Sequence, residues 1–123
     1  MTIVDSSSWI ETLRPGGDPL VRSRVESLLN AGNAAWCSMI RLELWRGARA
    51  GAERKLLEFL ESRLRLLEIT EEIWESSVRL MMKARLSGLS APPPDVLIAA
   101  TAQFHRVRVE HCDHHLERLL NLV

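Results

Sequence analysis

Only four of the 123 residues are aspartates, and three of them stand at the edge of an apolar segment. Asp5 closes Met1-Thr2-Ile3-Val4, Asp95 opens Asp95-Val96-Leu97-Ile98-Ala99-Ala100-Thr101-Ala102, and Asp113 follows Val107-Arg108-Val109-Glu110-His111-Cys112. The fourth, Asp18, lies in Pro15-Gly16-Gly17-Asp18-Pro19, where a turn or a helix cap accounts for it. The remaining acids are glutamates, which helix interiors accommodate better than aspartates. One of them, Glu43, shares a helical face with Ile40, Leu44 and Gly47 by three- and four-residue spacing. A carboxylate buried without a partner is costly, so Glu43 either pairs with Arg41 or Arg46 or joins the aspartates. Carboxylates brought together repel and raise one another's pKa until a cation joins them. A hard divalent ion, Mg²⁺ or Mn²⁺, suits such oxygen ligands. It would polarise a phosphodiester and lower the pKa of an attacking water. Asp5, Glu43, Asp95 and Asp113 could converge on one such acidic, metal-binding pocket, with Asp95 held ionised by the dipole of the helix it opens.

These residues need elements to position them. Thr2 to Val4 reads as a short buried strand, followed by a helix capped by Ser6, Ser7 or Ser8 and running to about Leu13. A second helix is expected from Pro19 to Leu29, with Leu20, Val25, Leu28 and Leu29 on its apolar stripe. Ala34 to Cys37 is a candidate strand. Ser38 can then cap a helix from about Met39 to Ala50, and another spans Ala52 to Arg63. Leu64 to Ile69 reads as a strand. Thr70, with Glu71 and Glu72 in the first turn, opens a long helix to Leu86 whose inner side would carry Ile73, Trp74, Val78, Met81 and Met82. Pro92, Pro93 and Pro94 are expected to form a stiff non-helical connector ending where Asp95 starts a buried helix. Val107 to Cys112 is the last expected strand, with Leu116, Leu119 and Leu120 in a closing helical or irregular segment. Strands alternating with helices imply a three-layer α/β/α domain with a short, mostly parallel central sheet, residues 1–123 forming one domain. In such sheets ligand sites gather at the carboxyl ends of the strands, where Asp5 and Asp113 fall.

Composition narrows the function classes. An apolar fraction of 46% and a charged fraction of 26% are those of an ordinary globular chain. A formal net charge of zero argues against a protein that coats nucleic acid. Fourteen of the 16 basic residues are arginine, the residue suited to bidentate phosphate contacts, although a GC-rich genome produces the same bias. Together these features predict nucleic-acid binding confined to a cleft. No run is apolar and long enough for a bilayer span and no leader pattern is apparent, so no membrane association and a cytoplasmic location are expected. Cys37 and Cys112 are too few for a disulfide framework.

Several segments carry a resemblance to a known family. Ile3-Val4-Asp5-Ser6-Ser7 resembles the opening of PIN domains, as does Glu43 followed by Gly47 in a helix. Asp95-Val96-Leu97-Ile98-Ala99-Ala100-Thr101-Ala102 is similar to the D-x-x-I-A-A-x-A segment of VapC-type toxins, and Pro92 to Pro94 before it fits that pattern. His111-Cys112-Asp113-His114-His115-Leu116 stands where the family often has a T-x-D-x-D-F-like run. The resemblance spans nearly the whole chain. It implies a Mg²⁺- or Mn²⁺-dependent ribonuclease acting on structured RNA such as tRNA or rRNA. It also implies a homodimer, and silencing by a VapB-type antitoxin whose C-terminal segment lies in a groove near the site. The family's acidic positions map onto Asp5, Glu43, Asp95 and Asp113, and its hydroxyl after the first aspartate onto Ser6 or Ser7. The chain departs from the pattern at His115, which replaces an acid and leaves position 115 outside the expected ligand set, and at Leu116, which replaces an aromatic.

Other readings predict different things. A non-catalytic module retaining the fold would bind RNA or a peptide in the same pocket, but the intact carboxylate set argues against a decayed site. A phosphatase using an aspartyl nucleophile would want a second aspartate two residues after the first, and position 7 is serine. His111, Cys112, His114 and His115 suggest zinc, but are too crowded for a closed site and have no second ligand pair. They are expected at the pocket rim, where His114 or His115 could contact phosphate. Trp9, Trp36, Trp45 and Trp74 are expected mainly in the core, with Trp9 or Trp45 able to line a groove or stack a base.

Overall fold

The computed structural model describes residues 1–123. The chain runs β1 (Thr2–Val4), α1 (Ser6–Leu13), α2 (Pro19–Asn30), β2 (Ala34–Trp36), α3 (Ser38–Gly47), α4 (Gly51–Arg63), β3 (Arg65–Leu66), α5 (Glu71–Leu86), α6 (Pro93–His105), β4 (Arg108–Glu110) and α7 (His114–Leu120). The four strands pair in the order β3-β2-β1-β4, all parallel. Register is fixed by Ile3 opposite Ala35 on one side and Val109 on the other, and by Trp36 opposite Leu66. β1 and β2 are inside on both faces, and Ile3, Val4 and Ala35 are fully buried. That is why their sequences read as unbroken apolar runs and not as alternation.

Strand order and handedness place the layers. The steps β1→β2→β3 move one way across the sheet, and the return to β4 moves the other way. Crossovers of right-handed sense then put α1 to α4 on one face and α5 with α6 on the opposite face. This is the expected three-layer arrangement. The chain departs from β1 on one side and from β4 on the other, so the switch point lies between these two strands, where a crevice opens at their carboxyl ends. α6 precedes β4 and runs antiparallel to the strands, so its first turn lies at that same edge.

Several local expectations are corrected. α6 begins at Pro93, inside the supposed connector, with Pro92 in an extended N-cap conformation. A proline in the first turn loses nothing, because its missing N–H would have had no helical partner. Asp95 is therefore in the first turn and does not cap the helix. Asp5 itself, not the serines after it, is the N-cap of α1. Cys37 occupies the cap position of α3 without a side-chain bond, and Ser38 is already helical. α3 stops at Gly47, β3 shrinks to Arg65–Leu66, and β4 is trimmed to Arg108–Glu110.

The largest revision is the face of α5. Its buried side is Ile73, Ser77, Leu80 and Ala84, with the Ser77 hydroxyl donating to the Ile73 carbonyl at 2.8 Å. Trp74, Val78 and Met82 are more than half exposed at 55%, 62% and 52%. Small Ala84 and Ser77 let α5 come close to α6, whose residues Val96 to Ala102 are all buried as expected. Leu20 is also outside the core, and Val21 takes the inner place on α2 beside Val25.

Candidate active site

Asp5 leaves β1 at the carboxyl edge and is buried, 4% exposed. Its Oδ2 accepts from the Ser7 amide at 3.1 Å and the Ser7 hydroxyl at 2.6 Å. The Ser7 hydroxyl in turn accepts from the Cys112 amide at 3.0 Å, tying the end of β1 to the segment after β4. The Asp5 amide donates to the Glu110 carbonyl at 2.9 Å, which fixes the same junction through the backbone. The neighbouring Ser6 hydroxyl donates to Glu43 Oε1 at 3.4 Å, so both candidate hydroxyls touch a carboxylate of the set.

Glu43 projects from the second turn of α3 and is half-buried. Its carboxyl is pushed above the usual range by burial first and then by the charge of Asp5, with smaller contributions from Asp95 and Asp113; the Ser6 hydrogen bond opposes this. An ion pair does not account for it. Arg41 is engaged by Glu61, which also accepts from Trp45 Nε1 at 2.8 Å, and Arg46 forms no ion pair.

Asp95 is raised to about 6, by burial first and then by Asp113 and Asp5, with His115 partly offsetting them. This reverses the expected effect of the helix terminus. A helix dipole contributes only about 0.3–1 kcal/mol at such a position, and here desolvation and two like charges outweigh it. Asp113 caps α7, with Oδ1 accepting from the Leu116 amide at 3.0 Å. Asp95, Asp113 and His115 each offer one ligand atom, all within 4.8 Å of one another. Asp5 and Glu43 stand outside that tight group but close enough to act on it by charge.

All four expected carboxylates thus face one region, and His115, expected at the pocket rim and outside the ligand set, has a ring atom among them. The available signal was its place two residues after Asp113, where imidazole can take over a carboxylate's ligand role. The other residues of that cluster are employed differently. His111 accepts from the Asp113 amide through Nδ1 at 3.3 Å and reaches Glu117 through Nε2 at 2.9 Å. Glu110 is neutralised by Arg24 at 2.8 Å and accepts from Ser8 at 3.1 Å. Trp9 and Trp36 lie in the core at 1% exposure, which removes Trp9 from any groove.

The donor set fits a divalent cation: two carboxylates and an imidazole converge, and the carboxylates that surround them have no cationic side chain to neutralise them. Beside the site, a groove of about 530 Å³ is lined by Ser6, Ile10, Leu13, Glu43, Leu44 and Leu57 among others. It joins an apolar floor to the edge of the carboxylate cluster.

A short parallel sheet with carboxylates gathered at its switch point is the architecture of an acidic-site α/β domain. The family model described as "PIN domain" matches residues 2–120, and the chain belongs to the PIN-domain family. Within it the chain is similar to Ribonuclease VapC11 of Mycobacterium tuberculosis, 31% identical over 92% of this chain and 87% of that one. It is also similar to Ribonuclease VapC21 of the same organism, 29% identical over 82% of this chain and 75% of that one. Among solved structures, FitAcB from Neisseria gonorrhoeae superposes with a TM-score of 0.79 at 22% identity, covering 98% of this chain and 94% of that chain. VapBC2 from Rickettsia felis, solved bound to a DNA fragment from its promoter, superposes with a TM-score of 0.71 at 17% identity, covering 91% and 98%. Both establish the fold.

Proposed function

We propose that the chain is a metal-dependent endoribonuclease that serves as the toxin of a type II toxin–antitoxin pair. The observation that carries this reading is the uncompensated carboxylate cluster around Asp95 at the switch point of the sheet. The relatives named ribonucleases supply the substrate class, RNA. Asp95 and Asp113 would hold the ion, Mg²⁺ with Mn²⁺ as substitute, and Asp5 and Glu43 would complete the set directly or through water. When bound, that ion supplies charge neutralisation at the scissile phosphate and a water of lowered pKa. Glu43 orients the attacking water and accepts its proton, a role favoured by a carboxyl raised above its ordinary range. Ser7 keeps Asp5 in place, and Ser6 does the same for Glu43. The products are a 5′-phosphate and a 3′-hydroxyl.

The groove beside Glu43 suits an antitoxin segment of VapB type, which would place apolar side chains over Ile10, Leu13 and Leu57. Complexes solved for structural neighbours, VapBC2 among them, support that partner. A homodimer fits the outward apolar residues of α5. No helix is long and apolar enough to cross a membrane, and a cytoplasmic site of action accompanies this reading.

Purified, antitoxin-free protein incubated with total RNA tests the proposal. Cleavage in Mg²⁺ or Mn²⁺, abolished by EDTA and by Asp95→Asn, is the expected result, and Glu43→Gln should slow it by about 10²–10⁴-fold. Cleavage that persists in EDTA, or equally in Asp95→Asn, would refute it.

A further inference from the structure

We infer that His115 is a nitrogen ligand of the ion this site takes and tilts its preference from Mg²⁺ towards Mn²⁺. The inference rests on the metal-dependent reading above and deepens it. The ring of His115 offers a ligand atom within 4.8 Å of those of Asp95 and Asp113, and no other histidine or cysteine joins that group. The ring is not consumed by structure. Its Nδ1 stands 3.7 Å from Asp113 Oδ1, beyond hydrogen-bond length, and the side chain is half exposed. His105, by contrast, is held by the Glu68 carbonyl at 2.8 Å, and His111 is held on both ring nitrogens. Buried Asp5 also keeps a donor in reserve, since its hydrogen bonds from Ser7 go to Oδ2 and leave Oδ1 without one.

The ligand types decide the metal. Mg²⁺ demands near-octahedral oxygen ligands and loses its waters reluctantly, whereas an imidazole nitrogen suits transition ions better. A site in which one of three convergent donors is nitrogen gives up affinity for Mg²⁺ relative to Mn²⁺. An acid in place of His115 would restore an all-oxygen set and add a negative charge, favouring the harder ion.

The test is Mn²⁺ binding to the full-length, metal-stripped chain, followed by paramagnetic resonance, with Mg²⁺ as competitor. In the wild type, echo modulation from directly bound ¹⁴N is expected. It should disappear in His115→Gln and persist in His114→Gln. In His115→Asp the ratio of Mn²⁺ to Mg²⁺ affinity should fall by about tenfold or more. Mn²⁺ that binds in an Asp95-dependent way with no ¹⁴N coupling, or with coupling retained in His115→Gln, overturns the inference and leaves the site reading standing. Absence of Mn²⁺ binding, or binding indifferent to Asp95→Asn, overturns both.

Discussion

At the scale of single residues, the site is a set of carboxylates that resist being charged together. Asp95 has its pKa raised to about 6 from an ordinary 3.8, so the folded state holds that proton more tightly than the unfolded chain does. Linkage then fixes the sign: the contribution is fully present below pH 4 and is lost as pH rises through about 6. Glu43, raised by burial and the same neighbours, acts in the same direction. In metal-free protein these two groups therefore favour a higher melting temperature at pH 4.5 than at pH 7, while Glu11 and Glu61, whose carboxyls are lowered, pull the other way. Asp95→Asn should flatten that slope and stabilise the apo-protein at pH 7 while destroying activity. Paired thermal scans in EDTA check this, and a variant less stable than wild type at pH 7 would contradict it. The four carboxylates were legible in the sequence because each sits beside an apolar segment that cannot shelter a charge without a reason. His115 was legible only as a departure from the family's pattern two residues after Asp113; its approach to Asp95, twenty positions away, is a distance that no spacing rule contains.

At the scale of elements, α6 does two jobs. Its first turn presents Asp95, and the residues that follow fill the centre of the molecule, with Ile98 fully buried. Ile98→Ala is expected to cost about 2–5 kcal/mol in urea denaturation. α5 shows where sequence reading failed and why. The helix carries two apolar stripes, and the bulkier one is Trp74, Val78, Met82 and Leu86 at four-residue spacing. Hydrophobicity alone chooses that stripe for the interior. Close packing against α6 instead selects the smaller residues Ser77 and Ala84, which leaves the bulky side facing outward. Ridges at four-residue spacing are suited to packing against another helix. Val78→Asp is accordingly expected to halve the mass in sedimentation at micromolar concentration without changing the helical signal. A wild type that is already monomeric under those conditions would dismiss this role for α5.

At the scale of the whole molecule, strand order brings distant segments together. β1 lies between β2 and β4, so Asp5 is joined to the segment that leads into Asp113 although most of the chain separates them. The sequence made the alternation of strands and helices visible, and with it the three-layer class. The order β3-β2-β1-β4 was hidden, because strands of two or three residues carry too little pattern to reveal their partners. On the proposed reading the cluster would take an ion only when folded, so metal should stabilise the entire domain. At a free concentration of a hundred times Kd the gain is about 2.7 kcal/mol, readable as a rise in Tm on adding Mn²⁺ that is absent from Asp95→Asn. An equal rise in the variant would mean that the ion binds elsewhere.

Asp5 and Asp113 are also helix caps, each accepting a backbone amide at the start of α1 or α7. Their loss, which on the proposed function would remove a ligand as well, loosens a helix terminus, at about 0.5–2 kcal/mol per cap. Asp95 and Glu43 carry no such duty. Inactivating changes are thus of two kinds. A lesion at Asp5 or Asp113 weakens the scaffold as well, and tends to clear the protein through proteolysis. On the proposed function, a lesion at Asp95 or Glu43 would leave a sound but silent copy that still occupies its antitoxin. In a cell carrying both copies, that silent form would act as a decoy and release its active sibling from restraint, so the two kinds of mutation would have opposite genetic dominance.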